Sequence, residues 1–195
     1  MPRFALLLLL LALAAPAGAQ NGTDRVSLNP NLAPFYHGVA SGDPLTDRVI
    51  IWTRVTDDQN PTPGTITVDW EMALDTTFAS IVTSGTTTTD DTRDFTVKVD
   101  AAGLQPGTWY YYRFHALGGT SLIGRTRTLP TGGVSRVRFG IVSCSNYPAG
   151  YFNAYERLAD RNDVDAVLHL GDYIYEGGGG SSIPGRDHSP ANEII

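Results

Sequence analysis

Cys144 is the one cysteine in this 195-residue sequence, so no internal disulfide can form. Without a Cys-x-x-Cys pair, a zinc ribbon and a thioredoxin-type redox centre are also excluded. A cationic stripe is missing too. The 14 Lys+Arg are scattered against 20 Asp+Glu, for a net charge of -6, which leaves no surface to neutralise a phosphate backbone and argues against sequence-general nucleic-acid binding. Internal repeats are absent. The run Gly177 to Gly180 lacks the Gly-Lys-Ser/Thr ending of a phosphate-binding loop, so it reads as a flexible active-site or surface loop. With 42% hydrophobic and 17% charged residues, disorder is excluded for most of the chain, and the length suits one or two domains.

The N-terminus is an address. Arg3 precedes the apolar run Phe4 to Ala15 and the small-residue exit Ala17-Gly18-Ala19, the layout of a secretory signal peptide cleaved before Gln20. The run is short for a transmembrane helix, although a signal anchor is the alternative. No twin-arginine pair precedes it, which points to a Sec-like route. In an oxidising compartment the lone thiol should then be buried, paired with another chain or held by a metal. Asn21-Gly22-Thr23 fits a glycosylation pattern that matters only in a eukaryotic secretory pathway.

Two halves follow with different periods. Between Phe35 and Pro130, β-branched runs at Arg48 to Val55 and Thr65 to Ala73 and the polar-apolar alternation of Asp94 to Val99 are separated by turn formers. Pro106-Gly107 precedes the aromatic strand Trp109 to Tyr112, whose alternate rings should face a core. About 95 residues of such strands match an immunoglobulin or fibronectin type III sandwich, with a smaller sheet decorating another domain as the alternative. Thr131-Gly132-Gly133 is a joint. Beyond it, Val137 to Ser143 and Ala166 to Leu170 are apolar strands, and Tyr151 to Ala159 carries Phe152, Tyr155 and Leu158 on one helical face. This β-α-β order favours a parallel pair buried on both faces, with chemistry at the carboxyl ends. One such unit has too few strands to bury a sheet, so this second domain reads as incomplete.

Those ends are Cys144 and Gly171-Asp172. On neighbouring strands about 4.8 Å apart, a thiolate and a carboxylate there can approach one ion. Tyr175, three positions after Asp172, is near enough to add a phenolate suited to a trivalent metal. Asp172 has two oxygens with which to bridge two ions about 3.5 to 4 Å apart, the spacing used in phosphoryl transfer. Each residue also has a structural alternative. A lone cysteine is commonly a small buried apolar residue. Tyr173 and Tyr175 suit packing, Asn146 and Tyr147 suit a turn, Arg186 and His188 suit solvent, and His169 reads as a satisfied core histidine. His37 lies in a Gly-rich turn segment with no identifiable partner.

The segment from His37 to Pro44, with Val49-Ile50-Ile51-Trp52-Thr53-Arg54 after it, resembles the opening of PhoD-type alkaline phosphatases. Phe139 to Tyr147 and His169 to Glu176 are similar to the first metal-binding segments of that family within the calcineurin-like metallophosphoesterase superfamily. The resemblance implies an immunoglobulin/fibronectin-III-like β-sandwich followed by the incomplete start of an α/β metallophosphoesterase domain. It divides the chain into a signal peptide (1–19), the sandwich (34–131) and that truncated start (135–195). It also implies a secreted or periplasmic alkaline phosphatase or phosphodiesterase that uses Fe3+ and Ca2+ on phosphate mono- or diesters. Position by position, Asp172 would be the bridging carboxylate, acting in catalysis through the metals. Tyr175 would be the iron-bound phenolate of the Gly-Asp-x-x-Tyr pattern shared with purple acid phosphatases, and Cys144 the iron thiolate. Asn146 falls where related phosphoesterases place a histidine near the metals.

Two departures stand out. The family often uses a twin-arginine leader, and its Asn-His motif and later Asp and His ligands are not in this sequence. The expectation is therefore an N-terminal portion that alone binds metal poorly and turns over little, monomeric, with no stable membrane span once the leader is removed. The alternative from another class is a secreted β-sandwich binding or adhesion module without catalysis.

Overall fold

Alternation of apolar with polar residues builds most of this chain from strands, and the computed structural model describes residues 29–60, 62–175 and 183. Ten strands and one short α-helix are formed among them. The signal peptide, the Asn21-Gly22-Thr23 pattern, the Gly177 to Gly180 loop, Arg186 and His188 lie outside the described residues.

Strands β1 (Val39–Gly42), β2 (Arg48–Arg54) and β5 (Thr96–Ala102) form one antiparallel sheet in the order β1-β2-β5. The second sheet contains β3 (Ile66–Ala73), β4 (Ile81–Thr89), β6 (Trp109–Ala116), β7 (Gly119–Thr120) and β8 (Gly124–Arg127). Its order is β4-β3-β6, and β6 pairs on its far edge with β7 and then β8. The two inner faces share one core. Val49 and Ile51 of β2, Val97 and Ala101 of β5, Val68 and Met72 of β3, and Tyr110, Tyr112 and Phe114 of β6 all belong to it. This is the sandwich that the alternation predicts, and the aromatic strand obeys the period of two: Tyr110, Tyr112, Phe114 and Ala116 are buried. Buried hydroxyls are satisfied on backbone oxygens, as where Thr53 Oγ1 donates to Gly38 O at 2.8 Å and Thr128 Oγ1 to Gln105 O at 2.7 Å.

The second half forms β9 (Phe139–Val142), α1 (Asn153–Ala159) and β10 (Ala166–His169), with β9 and β10 paired in parallel. Val142 stands opposite His169, so both strands end at the same level. Gly140 lets α1 approach. A Cβ there would lie 2.6 Å from Leu158 Cδ1. Burial of the pair on both faces, expected from its apolar run, is not what the structure shows. Ile141 is 63% exposed and Val167 54%, because two strands and one seven-residue helix present too little surface to cover two sheet faces.

The sandwich grips the near ends of this pair. Arg127 in β8 bridges to Asp165 at 3.1 Å, and Asp165 also accepts from the backbone N–H of Arg138 at 2.9 Å. Arg125 donates to Arg161 O at 2.8 Å and hydrogen-bonds Asn162. Both guanidiniums lie over Trp109, at 4.9 and 5.4 Å from the ring centroid.

Candidate metal centre at the strand ends

Parallel pairing at a common level carries the chain past β9 and β10 into two turns that touch. Leu170 N–H donates to Val142 O at 2.8 Å, Cys144 N–H to Gly171 O at 3.1 Å, and Ser145 N–H to Asp172 O at 2.8 Å. Within these turns Cys144 and Asp172 both have left-handed backbone, with φ of 64° and 51°. Non-glycine residues adopt that region at a cost and cluster at functional sites when the surroundings hold them there. The left-handed turns bring the side chains together. Cys144 Sγ lies 3.4 Å from Asp172 Oδ2, and Tyr175 Oη donates to the same oxygen at 3.3 Å.

Sulfur, carboxylate and phenol therefore converge on one point, as the spacing suggested. Cys144 is free and exposed, which removes burial from the three fates expected for a lone exported thiol. The Tyr175 hydroxyl is held well above its usual range. Its hydrogen bond with Cys144 is the largest cause, followed by desolvation and the negative charges of Asp172 and Cys144. Three groups that repel one another when ionised form a stable anionic set only around a cation, and their hardness spans thiolate to carboxylate. Two positions after Cys144, Asn146 Oδ1 is buried with no hydrogen-bond partner among the described residues. A buried acceptor in that state calls for an occupant. The donor chemistry and this oxygen both fit a metal. Among the described residues no three His, Cys, Asp or Glu side chains cluster, so the set is small.

His169 is hydrogen-bonded on both nitrogens, as its place in the strand suggested, but it is not a core histidine, because β10 contains no buried residue. Its Nε2 lies 2.8 Å from Tyr155 Oη and 3.0 Å from Ser145 Oγ, while its Nδ1 accepts from Gly171 N–H at 3.3 Å. Tyr173 meets the His169 ring edge-on at 4.9 Å. Sequence reasoning passed over Ser145 as a partner and placed Tyr155 only on a helical face; Ser145 carried a signal in its place just past the end of β9, and Tyr155 carried none. A cavity of about 900 Å3 between sandwich and parallel pair is lined in part by Trp109, Arg125, Tyr155 and Leu168. None of Cys144, Asp172 and Tyr175 lines it.

His37 does have partners. Arg54 donates to its Nε2 at 2.8 Å, and Arg54 also pairs with Asp94 at 2.8 Å. Both lie in the sandwich, away from the donor set in sequence.

The family model for the PhoD-like phosphatase N-terminal domain matches residues 20–130, and that for PhoD-like phosphatase matches residues 139–195. Alkaline phosphatase D of Bacillus subtilis (strain 168) is 41% identical over 176 residues, which cover 86% of this chain and 30% of that protein. A solved structure described as that of PhoD superposes with a TM-score of 0.69 at 42% identity, covering 77% of this chain and 30% of that one. The chain thus spans about 30% of the length of these relatives. Two consecutive matches covering both halves, together with this identity, place the chain in the PhoD-like phosphatase family.

Proposed function

We propose that this chain supplies the β-sandwich and the first metal donors of a secreted or periplasmic metal-dependent phosphoric ester hydrolase, acting on phosphate mono- or diesters. The observation that carries the reading is the meeting of Cys144 Sγ, Asp172 Oδ2 and Tyr175 Oη at the ends of β9 and β10, within the segment matched by the phosphatase family model. In this reading residues 1–19 are a signal peptide, 34–131 the sandwich and 135–195 the start of an α/β metallophosphoesterase domain. The N-terminal match begins at residue 20, next to the expected cleavage site. No helix among the described residues is long and apolar enough to cross a membrane.

Cys144 and Tyr175 would hold ferric iron, since thiolate and phenolate are anionic donors of the kind it takes. Asp172 would help to hold calcium, which takes carboxylate oxygens. Asn146 Oδ1 is the candidate neutral donor. When bound, the ions supply Lewis acidity and neutralise charge on the ester phosphate. The chain's own part is to keep three mutually repelling groups at one place, and the left-handed turns at Cys144 and Asp172 accomplish this. The four donors among the described residues are too few for two ions, so the 195-residue chain alone should bind metal weakly and hydrolyse little.

A chain extended to the length of its relatives, assayed with a chromogenic phosphodiester, tests the reading. Hydrolysis should appear, depend on added metal and fall at least ~100-fold on Asp172→Asn, comparable with the loss of an electrostatic group at a reacting centre. An extended, folded chain that shows no hydrolysis, or an Asp172→Asn variant as active as the parent, defeats it and returns attention to the sandwich as a binding module.

A further inference from the structure

Next to the donors, three polar side chains close a triangle that the reading above does not use. Ser145 Oγ is 2.5 Å from Tyr155 Oη and 3.0 Å from His169 Nε2, and Tyr155 Oη is 2.8 Å from the same nitrogen. Gly171 N–H donates to His169 Nδ1 at 3.3 Å. That hydrogen bond assigns the proton of the neutral ring to Nε2, which then donates to a hydroxyl of the triangle. Tyr155 also stacks on the His169 ring, with centroids 6.2 Å apart and planes 14° from parallel.

The three corners come from three different segments. Ser145 follows β9, His169 ends β10, and Tyr155 belongs to α1. Ser145 is the neighbour of Cys144, and its N–H bonds Asp172 O; His169 holds the N–H of Gly171, the neighbour of Asp172. The triangle therefore ties one turn to the other through side chains, beside the two backbone bonds that already link them. Cys144 and Asp172 both have left-handed backbone, which only a well-held environment sustains.

We propose that Tyr155 and His169 are positioning residues, whose triangle with Ser145 locks the turns after β9 and β10 together and so keeps Cys144 and Asp172 within reach of one ion. The purpose rests on the metal-centre reading; the lock does not. Partners that orient metal ligands commonly cost about 10- to 100-fold in affinity when removed.

Three variants of the chain extended to the length of its relatives separate the contacts. Tyr155→Phe keeps the ring and removes the hydroxyl. His169→Asn keeps an acceptor for Gly171 N–H but is too short to reach Tyr155, whereas His169→Gln keeps a donor at the reach of Nε2. Amide hydrogen exchange is followed at Cys144 and Ser145, with Ile51 and Val97 as sandwich references. Cobalt(II) alone is titrated against the absorption band of the Cys144 thiolate.

Tyr155→Phe and His169→Asn should each speed exchange at Cys144 and Ser145 and weaken cobalt binding at least ~10-fold, with Ile51 and Val97 unchanged. His169→Gln should restore most of both. Parent-like exchange at Cys144 and Ser145 in Tyr155→Phe and His169→Asn overturns the proposal. Equal acceleration at Ile51 and Val97 also overturns it, since the residues would then act on general stability. If the parent gives no cobalt band while exchange responds as described, the positioning role stands and the metal-centre reading fails.

Discussion

Arg54 organises a small network in which each partner's chemistry is determined by the guanidinium, a donor without acceptor capacity. Its Nη1 lies 2.8 Å from His37 Nε2 and donates to Thr56 Oγ1 at 3.1 Å, while Nε and Nη2 reach Asp94. His37 Nε2 must be unprotonated to accept. Its pKa is correspondingly lowered from the usual 6.5, first by burial and then by the Arg54 charge, against a smaller opposing pull from Asp94. A base whose folded pKa is depressed is protonated more readily in the unfolded chain. Stability should therefore be fully present above about 6.5 and decline as pH falls toward the folded value. Urea unfolding between pH 7.5 and 5 should show this slope, and His37→Gln should flatten it; an unchanged slope in the variant removes His37 as its source. Tyr175 makes a different prediction at the same scale. In an iron-loaded, extended chain, Tyr175→Phe should abolish a visible phenolate charge-transfer band while leaving the unfolding midpoint near that of the parent. A surviving band would take the phenolate assignment away from Tyr175.

Among the elements, β6 carries most of the aromatic core, and its neighbours are shaped around it. Gly124 of β8 stands opposite Tyr112, and a Cβ at Gly124 would lie 2.2 Å from the Tyr112 ring carbon bearing the hydroxyl. Tyr112 is 2% exposed, and burial pushes its pKa up to about 12. Gly124→Ala should destabilise the chain by about 1 to 3 kcal/mol, the usual range for overpacking a core, read as a lower urea midpoint; a midpoint equal to the parent's would mean that β8 shifts freely. The strand β4 shows where alternation fails as a guide. Its sequence, Ile81 to Thr89, is threonine-rich with Gly85 in the middle, and it lies at the outer edge of its sheet. Edge strands expose much of both faces, so no apolar period marks them. Gly85 is there because Trp70 covers it: a Cβ would approach the indole to 3.0 Å.

For the molecule as a whole, burial is unevenly shared. Every residue of the core cluster lies between Phe35 and Ala116, and β9, β10 and α1 contain no buried residue. Limited proteolysis should therefore leave a resistant sandwich ending near residue 130, with early cuts in the exposed 131–137 segment and beyond. A single resistant product retaining residues 139–175 would refute the boundary. What connects the parts is polar. Arg127 and Asp165 are 38% and 31% exposed at 3.1 Å, so a double-mutant cycle should return ~0.2–1 kcal/mol, diminishing in high salt.

Much of this was legible in the linear chain. The β-branched run Arg48 to Val55, the Pro106-Gly107 turn before Trp109, and the change to β-α-β after Gly133 are local patterns, set by residues a few positions apart. For the same reason the ends of the two apolar strands, and Cys144 and Asp172 on them, were visible as candidates. Only tertiary structure decided the rest. Val142 opposite His169 puts Cys144 Sγ against Asp172 Oδ2 across 28 positions of chain, and a slip of register would part them. The Ser145–Tyr155–His169 triangle, the His37–Arg54 pair and the exposure of an apolar strand pair depend likewise on which distant segments meet. Backbone pairing selects those meetings, whereas local composition specifies only which segments are able to pair.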